Sequence, residues 1–278
     1  MTAGAQPALY AVVGNPVGHS LSPRIHASFA KQTGQALSYE AIELPLDGFV
    51  NGIRDLQQRG FAGVNVTVPF KREAWQLCDS LSHRAELAGA VNTLSFNLDG
   101  SIGGDNTDGI GLVRDLVDNL EVEINGRQLL VLGAGGAVRG VLGPLLDRSP
   151  ARLILANRTA QKAEQLADDF SRYGTIGALP FDALAGQSFD LIINGTAAGL
   201  NNEIPPIPGS IVGANTACYD MMYDLSAPTA FVAWAQDQGA ARAVDGLGML
   251  VEQAAEAFSI WRGVGPDTLH VITALRNG

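Results

Sequence analysis

Cysteine and histidine are scarce in this chain of 278 residues, which contains two cysteines and four histidines. The two thiols, Cys78 and Cys218, cannot supply a disulfide framework for a chain of this length, so we expect a reducing, cytoplasmic environment. Neither cysteine belongs to a CxxC pair, and no two histidines stand at metal-ligand spacing. The sequence therefore predicts no protein-bound metal ion.

The chain also lacks an excess of basic residues and any long apolar run. Lysine and arginine total 18 against 28 acidic residues, which gives a net charge of −10, whereas a nucleic-acid-binding protein normally presents a basic face. No stretch approaches the roughly 18 uncharged apolar residues of a membrane span, and no positively charged leader precedes the first apolar run. We therefore expect neither nucleic-acid binding nor membrane insertion, and no secretory signal.

Apolar residues and glycine are plentiful, since hydrophobic residues account for 46% of the chain and glycine for 33 positions. In the first half, short apolar runs alternate with amphipathic segments. The run Leu9–Val13 predicts a buried strand, and Ser22–Gln32 predicts a helix with Ser22 as its N-cap and Pro23 at its first position. This alternation is typical of a mostly parallel α/β sheet.

A strictly alternating segment occupies positions 63–68. Three valines alternate there with two polar residues, which predicts a strand with one apolar face. The valines are Val64, Val66 and Val68, and the polar residues are Asn65 and Thr67. Pro69 is expected to end the strand.

The second half contains a βαβ pattern. The apolar strand Gln128–Leu132 leads into the turn Gly133–Ala137, a predicted helix follows to about Asp147, and the next strand is Arg152–Ala156. Glycines at such a turn let the backbone approach a pyrophosphate, and the helix N-terminus supplies N–H donors. Val138 stands where the usual fingerprint has a third small residue, so the match is partial, and a tight turn without a ligand is the alternative.

The end of the second strand of this pattern bears on the choice of dinucleotide. A fold that prefers NAD places Asp or Glu there to hold the ribose 2′-hydroxyl, but this chain has Asn157, Arg158 and Thr159. Arg158 can pair with a 2′-phosphate by charge and planar geometry, Thr159 can donate a hydroxyl, and Lys162 adds charge. The sequence therefore favours NADP over NAD, unless Arg158 is an ordinary solvated residue.

Polar residues of the first half follow predicted strands, where open α/β sheets bind ligands. Ser20 and Ser22 can hold a carboxylate or ring hydroxyls, but Ser22 alone is better explained as a helix cap. Taken alone, Lys71 is better explained as a solvated charge than as a catalytic group, and Asp108 as a turn residue. Asn92 lies in an apolar strand and needs partners if it is buried.

Taken together, these residues resemble the bacterial biosynthetic shikimate dehydrogenase family along essentially the whole chain. The matching segments are GNPVGHSLSPRIH from Gly14, GVNVTVPFK from Gly63, AGAVNT from Ala88, GDNTDG from Gly104, GAGGA from Gly133, NRT from Asn157, YDMMY from Tyr219 and DGLGMLVEQ from Asp245. Eight segments in the same order make a chance match very improbable. Two departures are Val138 after GAGGA and Lys162 where many members have arginine.

The resemblance implies a two-domain α/β fold. A mostly parallel α/β substrate domain is expected over residues 1–107 with 246–278, and a Rossmann-type NADP-binding domain over 108–245. The implied activity is the reversible, NADPH-dependent reduction of 3-dehydroshikimate to shikimate, on the route to chorismate and the aromatic amino acids. A cytoplasmic monomer or homodimer is expected.

The resemblance also assigns roles to individual residues. Lys71 and Asp108 match the catalytic pair. The substrate-contacting positions are Ser20, Ser22, Thr67, Lys71, Asn92, Asp108, Tyr223 and Gln253. The cofactor positions are Gly133, Ala134, Gly135, Gly136, Ala137, Asn157, Arg158, Thr159, Lys162, Thr196, Met221 and Gly246.

The expected chemistry places negative charge on the ketone oxygen as hydride arrives, and protonated Lys71 is expected to neutralise it. Two other functions stay open. A quinate/shikimate dehydrogenase that uses NAD would be favoured by an acidic residue near position 158, which this chain lacks. A non-catalytic sensor on the same scaffold would be favoured by loss of Lys71 or Asp108, and both are present.

Overall fold

The computed structural model describes residues 6–201 and 203–278, which fold as two compact units. Unit 1 contains the chain up to Gly111 together with Val251–Gly278, and unit 2 contains Leu112–Leu250. The predicted divisions, after residues 107 and 245, fall a few residues earlier, so Asp108 lies in unit 1 and Gly246 in unit 2. Each observed division falls inside a helix rather than at the glycine-rich turn that precedes it.

Strands and helices are numbered in chain order. The strands are β1 (Ala8–Gly14), β2 (Leu37–Glu43), β3 (Phe61–Val66), β4 (Ser80–Leu81), β5 (Thr93–Phe96), β6 (Ile102–Asp105), β7 (Gln128–Leu132), β8 (Arg152–Ala156), β9 (Ile176–Leu179), β10 (Leu191–Asn194), β11 (Ala217–Asp220) and β12 (Arg242–Val244). The helices are α1 (Ser22–Thr33), α2 (Phe49–Gln58), α3 (Lys71–Leu77), α4 (His83–Ala88), α5 (Asp108–Arg114), α6 (Gly136–Leu146), α7 (Ala160–Phe170), α8 (Ala230–Asp237), α9 (Leu247–Arg262) and α10 (Thr268–Arg276). None of these helices has the length and apolar character needed to cross a membrane.

Unit 1 contains a six-stranded sheet in the order β2-β1-β3-β5-β6-β4. The pairs β1–β2, β1–β3 and β4–β6 are parallel, whereas β5 runs antiparallel to β3 and to β6. One face of the sheet packs on α2 and α3 through a buried cluster that includes Val13, Ile53 and Phe70. The predicted mostly parallel α/β unit is confirmed.

The valine strand is shorter than predicted. Val64 and Val66 are 0% and 2% exposed, but Val68 is 69% exposed, so its prediction as a third inward residue is wrong. The strand ends at Val66 because the chain then turns, with the backbone N–H of Phe70 donating to the carbonyl of Thr67 over 3.0 Å. The turn releases Val68 from the strand alternation.

Helix α1 begins without the predicted serine cap. Leu21 occupies the N-cap position and makes no side-chain capping bond, and Ser22 is already the first helical residue. A capping oxygen accepts from the N–H groups of the first turn, whereas the Ser22 hydroxyl lies 3.2 Å from Ser20 Oγ. The prediction of Ser22 as N-cap is therefore wrong, and its hydroxyl takes part in another set of hydrogen bonds.

Helix α5 begins within the polar, turn-rich segment that starts at Gly104. Its first residue is Asp108, and Asp115–Asn119 form a π-helical turn. This start follows from Asn106, whose side-chain oxygen accepts from the backbone N–H of Asp108 over 3.1 Å. A stretch rich in turn-forming residues thereby becomes the start of a helix.

Unit 2 contains a second six-stranded sheet in the order β12-β11-β10-β7-β8-β9, and all of its pairs are parallel. The order reverses between β7 and β10, which is the arrangement of a Rossmann-type fold. The glycine-rich turn follows β7 at this reversal, where such sheets bind ligands. The predicted Rossmann-type unit is confirmed.

Candidate active site

Lys71 and Asp108 form an ion pair in unit 1. Lys71 begins α3 and Asp108 begins α5, and Lys71 Nζ donates to Asp108 Oδ2 over 2.6 Å. The two side chains are 29% and 10% exposed, so the pair is shielded and still accessible to a small molecule. A charge-assisted bond of this length holds the ammonium in place. The structure thus brings the predicted catalytic residues together.

Asn92 connects this pair to Gln253. Its Nδ2 atom donates to Asp108 Oδ1 over 2.8 Å and to Thr107 Oγ1 over 2.9 Å, and it lies 3.3 Å from Gln253 Oε1. The backbone N–H of Thr107 donates to Asn92 Oδ1 over 2.9 Å. Asn92 is only 2% exposed, so its amide depends on these partners, which fix its orientation toward Asp108.

The two serines and Thr67 follow neighbouring strands. Ser20 and Ser22 come after β1, and Thr67 comes after β3, which is the parallel neighbour of β1. Both segments therefore leave the sheet at the same edge. A Cβ atom at Gly14 would lie 2.4 Å from Thr67 Cγ2, so only glycine permits this close approach. Ser20 Oγ donates to Ser22 Oγ over 3.2 Å.

Three residues of unit 1 that the sequence prediction missed form a series of hydrogen bonds that ends at Asn92. The Tyr39 hydroxyl donates to Asn65 Oδ1 over 2.7 Å, and Asn65 Nδ2 donates to Thr93 Oγ1 over 3.1 Å. Thr93 Oγ1 in turn donates to Asn92 Oδ1 over 2.9 Å. Asn65 carried a usable signal, because a polar residue between buried valines needs partners. Tyr39 had no such signal, since tyrosine is common in strands.

Arg84 forms hydrogen bonds with two segments that carry site residues, the end of β6 and helix α9. Its Nε and Nη2 atoms donate to Asp105 Oδ1 and Oδ2 over 2.6 and 2.9 Å, and Nη2 also donates to Glu256 Oε1 over 2.8 Å. Asp105 ends β6 shortly before Asp108. Glu256 lies one helical turn after Gln253 on α9. Arg84 therefore constrains the separation of the Asp108 segment and the Gln253 helix.

In unit 2, the turn after β7 opens onto a cavity of about 350 Å³. Gly133 has a φ of +110°, which favours glycine. A Cβ atom at Gly135 or Gly136 would meet no other atom within 4 Å, and both glycines line the cavity with Ala134 and Lys162. Ala137 is exposed in the first turn of α6. This cradle at a helix N-terminus suits a phosphate-bearing ligand.

Val138 fits because two neighbours lack side chains. Its Cγ2 atom lies 3.2 Å from the position of a Cβ on Gly133 and 2.5 Å from that of a Cβ on Gly195. Val138 is fully buried between them. The departure from the usual fingerprint is therefore accommodated by the glycines that follow β7 and β10, and α6 still begins at Gly136.

The segment after β8 carries the predicted cations. Arg158 and Thr159 are exposed, and Asn157 Nδ2 donates to the carbonyl of Thr159 over 2.9 Å. Lys162 reaches the cavity beside the glycines, whereas Arg158 and Thr159 stand outside its lining. Two cations, a hydroxyl and an open glycine cradle form a donor set that fits a dinucleotide with an additional phosphate.

The remaining predicted cofactor residues lie after β10, β11 and β12. Thr196 Oγ1 donates to Asn194 Oδ1 over 2.8 Å. The N–H of Gly246 donates to the carbonyl of Met222 over 2.9 Å, and a Cβ at Gly246 would lie 2.6 Å from the Met221 carbonyl oxygen. Gly246 and Met221 are thus in direct contact, and only glycine allows it.

Tyr223 belongs to unit 2, whereas the other predicted substrate residues belong to unit 1. Burial raises the pKa of the Tyr223 phenol, and the negative charge of Asp245 raises it further. The hydroxyl is therefore protonated at neutral pH and available as a donor. Within residues 6–201 and 203–278, no group of three His, Cys, Asp or Glu side chains is arranged to hold a metal ion.

These features define a two-unit α/β protein that pairs a Rossmann-type dinucleotide unit with a lysine–aspartate site. Family models agree with this description. The shikimate dehydrogenase substrate binding domain matches residues 12–94, the shikimate / quinate 5-dehydrogenase model matches residues 115–229, and the shikimate 5′-dehydrogenase C-terminal domain matches residues 246–276.

Full-length relatives and solved structures give the family directly. The shikimate dehydrogenase (NADP(+)) of Thioalkalivibrio sulfidiphilus is 58% identical over 96% of this chain and 97% of its own length. An Ael1 enzyme from Pseudomonas putida is 45% identical with a TM-score of 0.92, over 96% of this chain and 98% of that one. Shikimate 5-dehydrogenase from Thermus thermophilus, solved with NADP(H) and shikimate, is 34% identical with a TM-score of 0.86, over 97% and 99%. The chain belongs to the shikimate dehydrogenase family, as its sequence predicted.

Proposed function

We propose that this protein catalyses the reversible, NADP-dependent interconversion of shikimate and 3-dehydroshikimate, on the route to chorismate and the aromatic amino acids. The observation that carries the proposal is the Lys71–Asp108 pair, whose 2.6 Å bond holds an ammonium at a shielded site in a chain of this family. Reduction of a ketone builds negative charge on its oxygen. A fixed ammonium is suited to neutralise that charge.

Lys71 acts as the acid in reduction and as the base in oxidation. In reduction, Lys71 Nζ donates a proton to the carbonyl oxygen; in oxidation, the amine takes the proton of the hydroxyl. Asp108 holds Nζ with one carboxylate oxygen, and Asn92 holds the other oxygen over 2.8 Å. When bound, NADPH would supply the hydride for reduction and NADP+ would accept it in oxidation.

The other site residues bind and orient the substrate. Hydroxyl and amide groups at these positions suit a carboxylate and ring hydroxyls, and their hydrogen bonds within unit 1 hold several of them in place. The proposed substrate residues are Ser20, Ser22, Thr67, Lys71, Asn92, Asp108, Tyr223 and Gln253.

Unit 2 holds the cofactor. The open glycine turn at the N-terminus of α6 would hold the pyrophosphate, and the cations after β8 would pair with the 2′-phosphate. The proposed cofactor residues are Gly133, Ala134, Gly135, Gly136, Ala137, Asn157, Arg158, Thr159, Lys162, Thr196, Met221 and Gly246. The substrate domain corresponds to unit 1 and the cofactor domain to unit 2.

Initial-rate kinetics that cross shikimate and quinate with NADP+ and NAD+ test the proposal. We expect the highest kcat/KM for shikimate with NADP+, followed as NADPH formation. Comparable rates with quinate or NAD+ would favour the broader dehydrogenase, to which the shikimate / quinate family description also applies. Absence of turnover with tight shikimate binding would favour a sensor.

The proposal includes a cytoplasmic location and a monomeric or homodimeric state. Both cysteines are free thiols, as expected in a reducing compartment. Cell fractionation and light scattering coupled to size-exclusion chromatography test these two points.

A further inference from the structure

A series of hydrogen bonds in unit 1 joins Tyr39 to the catalytic pair, and the serine pair lies beside Tyr39. The Tyr39 hydroxyl donates to Asn65 Oδ1 over 2.7 Å. The Ser22 side chain lies close enough to the same hydroxyl to affect its pKa, and Ser20 Oγ donates to Ser22 Oγ. Burial raises the pKa of the Tyr39 hydroxyl well above its ordinary value. Tyr39 therefore keeps its proton and remains a donor.

From Tyr39 onward, each donor sets the orientation of the next group. Because Asn65 Oδ1 accepts from Tyr39, its Nδ2 atom must face the other way, where it donates to Thr93 Oγ1 and to the carbonyl of Asn92 over 3.1 and 3.2 Å. Thr93 then donates to Asn92 Oδ1, which directs Asn92 Nδ2 toward Asp108. An amide can turn over and exchange its donor for its acceptor, and the tyrosine proton prevents this at Asn65.

His26 fixes the ring of Tyr39. The two rings stack with centroids 4.1 Å apart and an interplanar angle of 6°, and His26 is fully buried. Burial lowers the pKa of His26 to about 3, an effect that neighbouring Asn65 opposes only in part. The imidazole is therefore neutral near physiological pH and packs as an uncharged plate. A fixed ring leaves the Tyr39 hydroxyl little freedom to move away from Asn65.

We propose that Tyr39 is a positioning residue for shikimate binding, whose hydroxyl fixes the side chain of Asn65 and, through Asn65, that of Asn92. Its kinetic consequence rests on the proposed function. Ser22 and Asn92 are proposed substrate residues, whereas the proposed cofactor residues all belong to unit 2. Loss of the hydroxyl should therefore weaken binding of shikimate and leave NADP+ binding unchanged.

Tyr39→Phe is the test, and Tyr10→Phe is its matched control. Tyr10 and Tyr39 are direct partners on the parallel strands β1 and β2, but the Tyr10 ring stacks on Trp261 at 4.6 Å. We expect Y39F to raise KM for shikimate about fivefold, the change that corresponds to one neutral hydrogen bond. KM for NADP+ should stay at the wild-type value in both variants. Thermal melting establishes that both fold.

The side-chain amide of Asn65, observed by 15N–1H NMR and assigned by its absence in Asn65→Ser, gives a readout that needs no turnover. We expect this signal to shift and exchange faster with solvent in Y39F but not in Y10F. An unchanged KM for shikimate in Y39F overturns the proposal, as does an equal rise in KM for NADP+. If the wild-type enzyme does not oxidise shikimate, the proposed function fails. In that case, an Asn65 signal identical in Y39F and wild type overturns the positioning role as well.

Discussion

Replacement of Lys71 by alanine is expected to lower kcat for shikimate oxidation by about 10²–10⁴-fold, the usual contribution of a positioned acid–base group. The amine whose Nζ atom stands 2.6 Å from Asp108 is lost, and the proposed proton carrier for the reacting oxygen is lost with it. Groups that hold the rest of the substrate remain, so KM should change far less than kcat.

The structure indicates that this variant still folds. Asp108 loses one partner but keeps the bond from Asn92 Nδ2 to its Oδ1 atom, 2.8 Å long. The Lys71 side chain is 29% exposed, and a partly exposed ion pair contributes about 1 kcal/mol or less to stability. The loss of activity should therefore exceed any loss of folded protein by a wide margin.

Initial rates at saturating NADP+ provide the assay, with Lys31→Ala as the matched control. Lys31 is an exposed lysine in the last turn of α1, and its removal should leave kcat unchanged. A Lys71→Ala enzyme that melts like the wild type and retains kcat within about tenfold would refute the assignment of Lys71 as acid and base.

Three further predictions follow from the cofactor turn and the buried histidine. Arg158→Ser should raise KM for NADP+ about tenfold or more, as expected for a lost charge-assisted bond, with KM for NAD+ unchanged in the same initial-rate assay. Gly195→Ala should lower the free energy of unfolding by about 1–3 kcal/mol through overpacking, because its Cβ would lie 2.5 Å from Val138 Cγ2. Val138→Ala in the same chain should restore part of the lost free energy of unfolding in urea titrations. Additive losses in the double variant would contradict this. The pKa of His26 falls from 6.5 to about 3 on folding, so the unfolded state binds more protons between these two pH values. The free energy of unfolding should therefore keep its full value above pH 6.5 and fall with acidification by at most about 1.4 kcal/mol per pH unit. His26→Phe should flatten this slope.

The sequence predicted the family and the fold class because both depend on local patterns. Apolar runs followed by glycine-rich or polar turns fix where parallel strands end, and the order of the motifs fixes the rest. Lys71 and Asp108 were predicted from the GVNVTVPFK and GDNTDG segments, and the structure adds that their side chains form a hydrogen bond. The contacts of the predicted residues with the substrate and the cofactor stay predictions.

Other features depend on packing that no local pattern contains. Ser22 matches a helix cap in sequence, yet it lies beside Tyr39 of β2 and affects the pKa of that tyrosine. Val68 continues an alternation of valines, yet the chain turns before it. Tyr39 and Thr93 are ordinary strand residues until their partners are known. Apart from the local turn at Val68, these cases were decided by groups distant in sequence.

The return of the chain end to the first sheet has a consequence for synthesis on the ribosome. Three residues of α9 contact unit 1. Trp261 Nε1 donates to the carbonyl of Leu94 over 3.1 Å, Gln253 contacts Asn92, and Glu256 accepts from Arg84. A nascent chain that has already exposed every strand of that sheet still lacks these partners. Translation must therefore complete the entire intervening Rossmann-type unit before the residues of α9 can reach the lysine–aspartate site, and a product released early would lack these contacts.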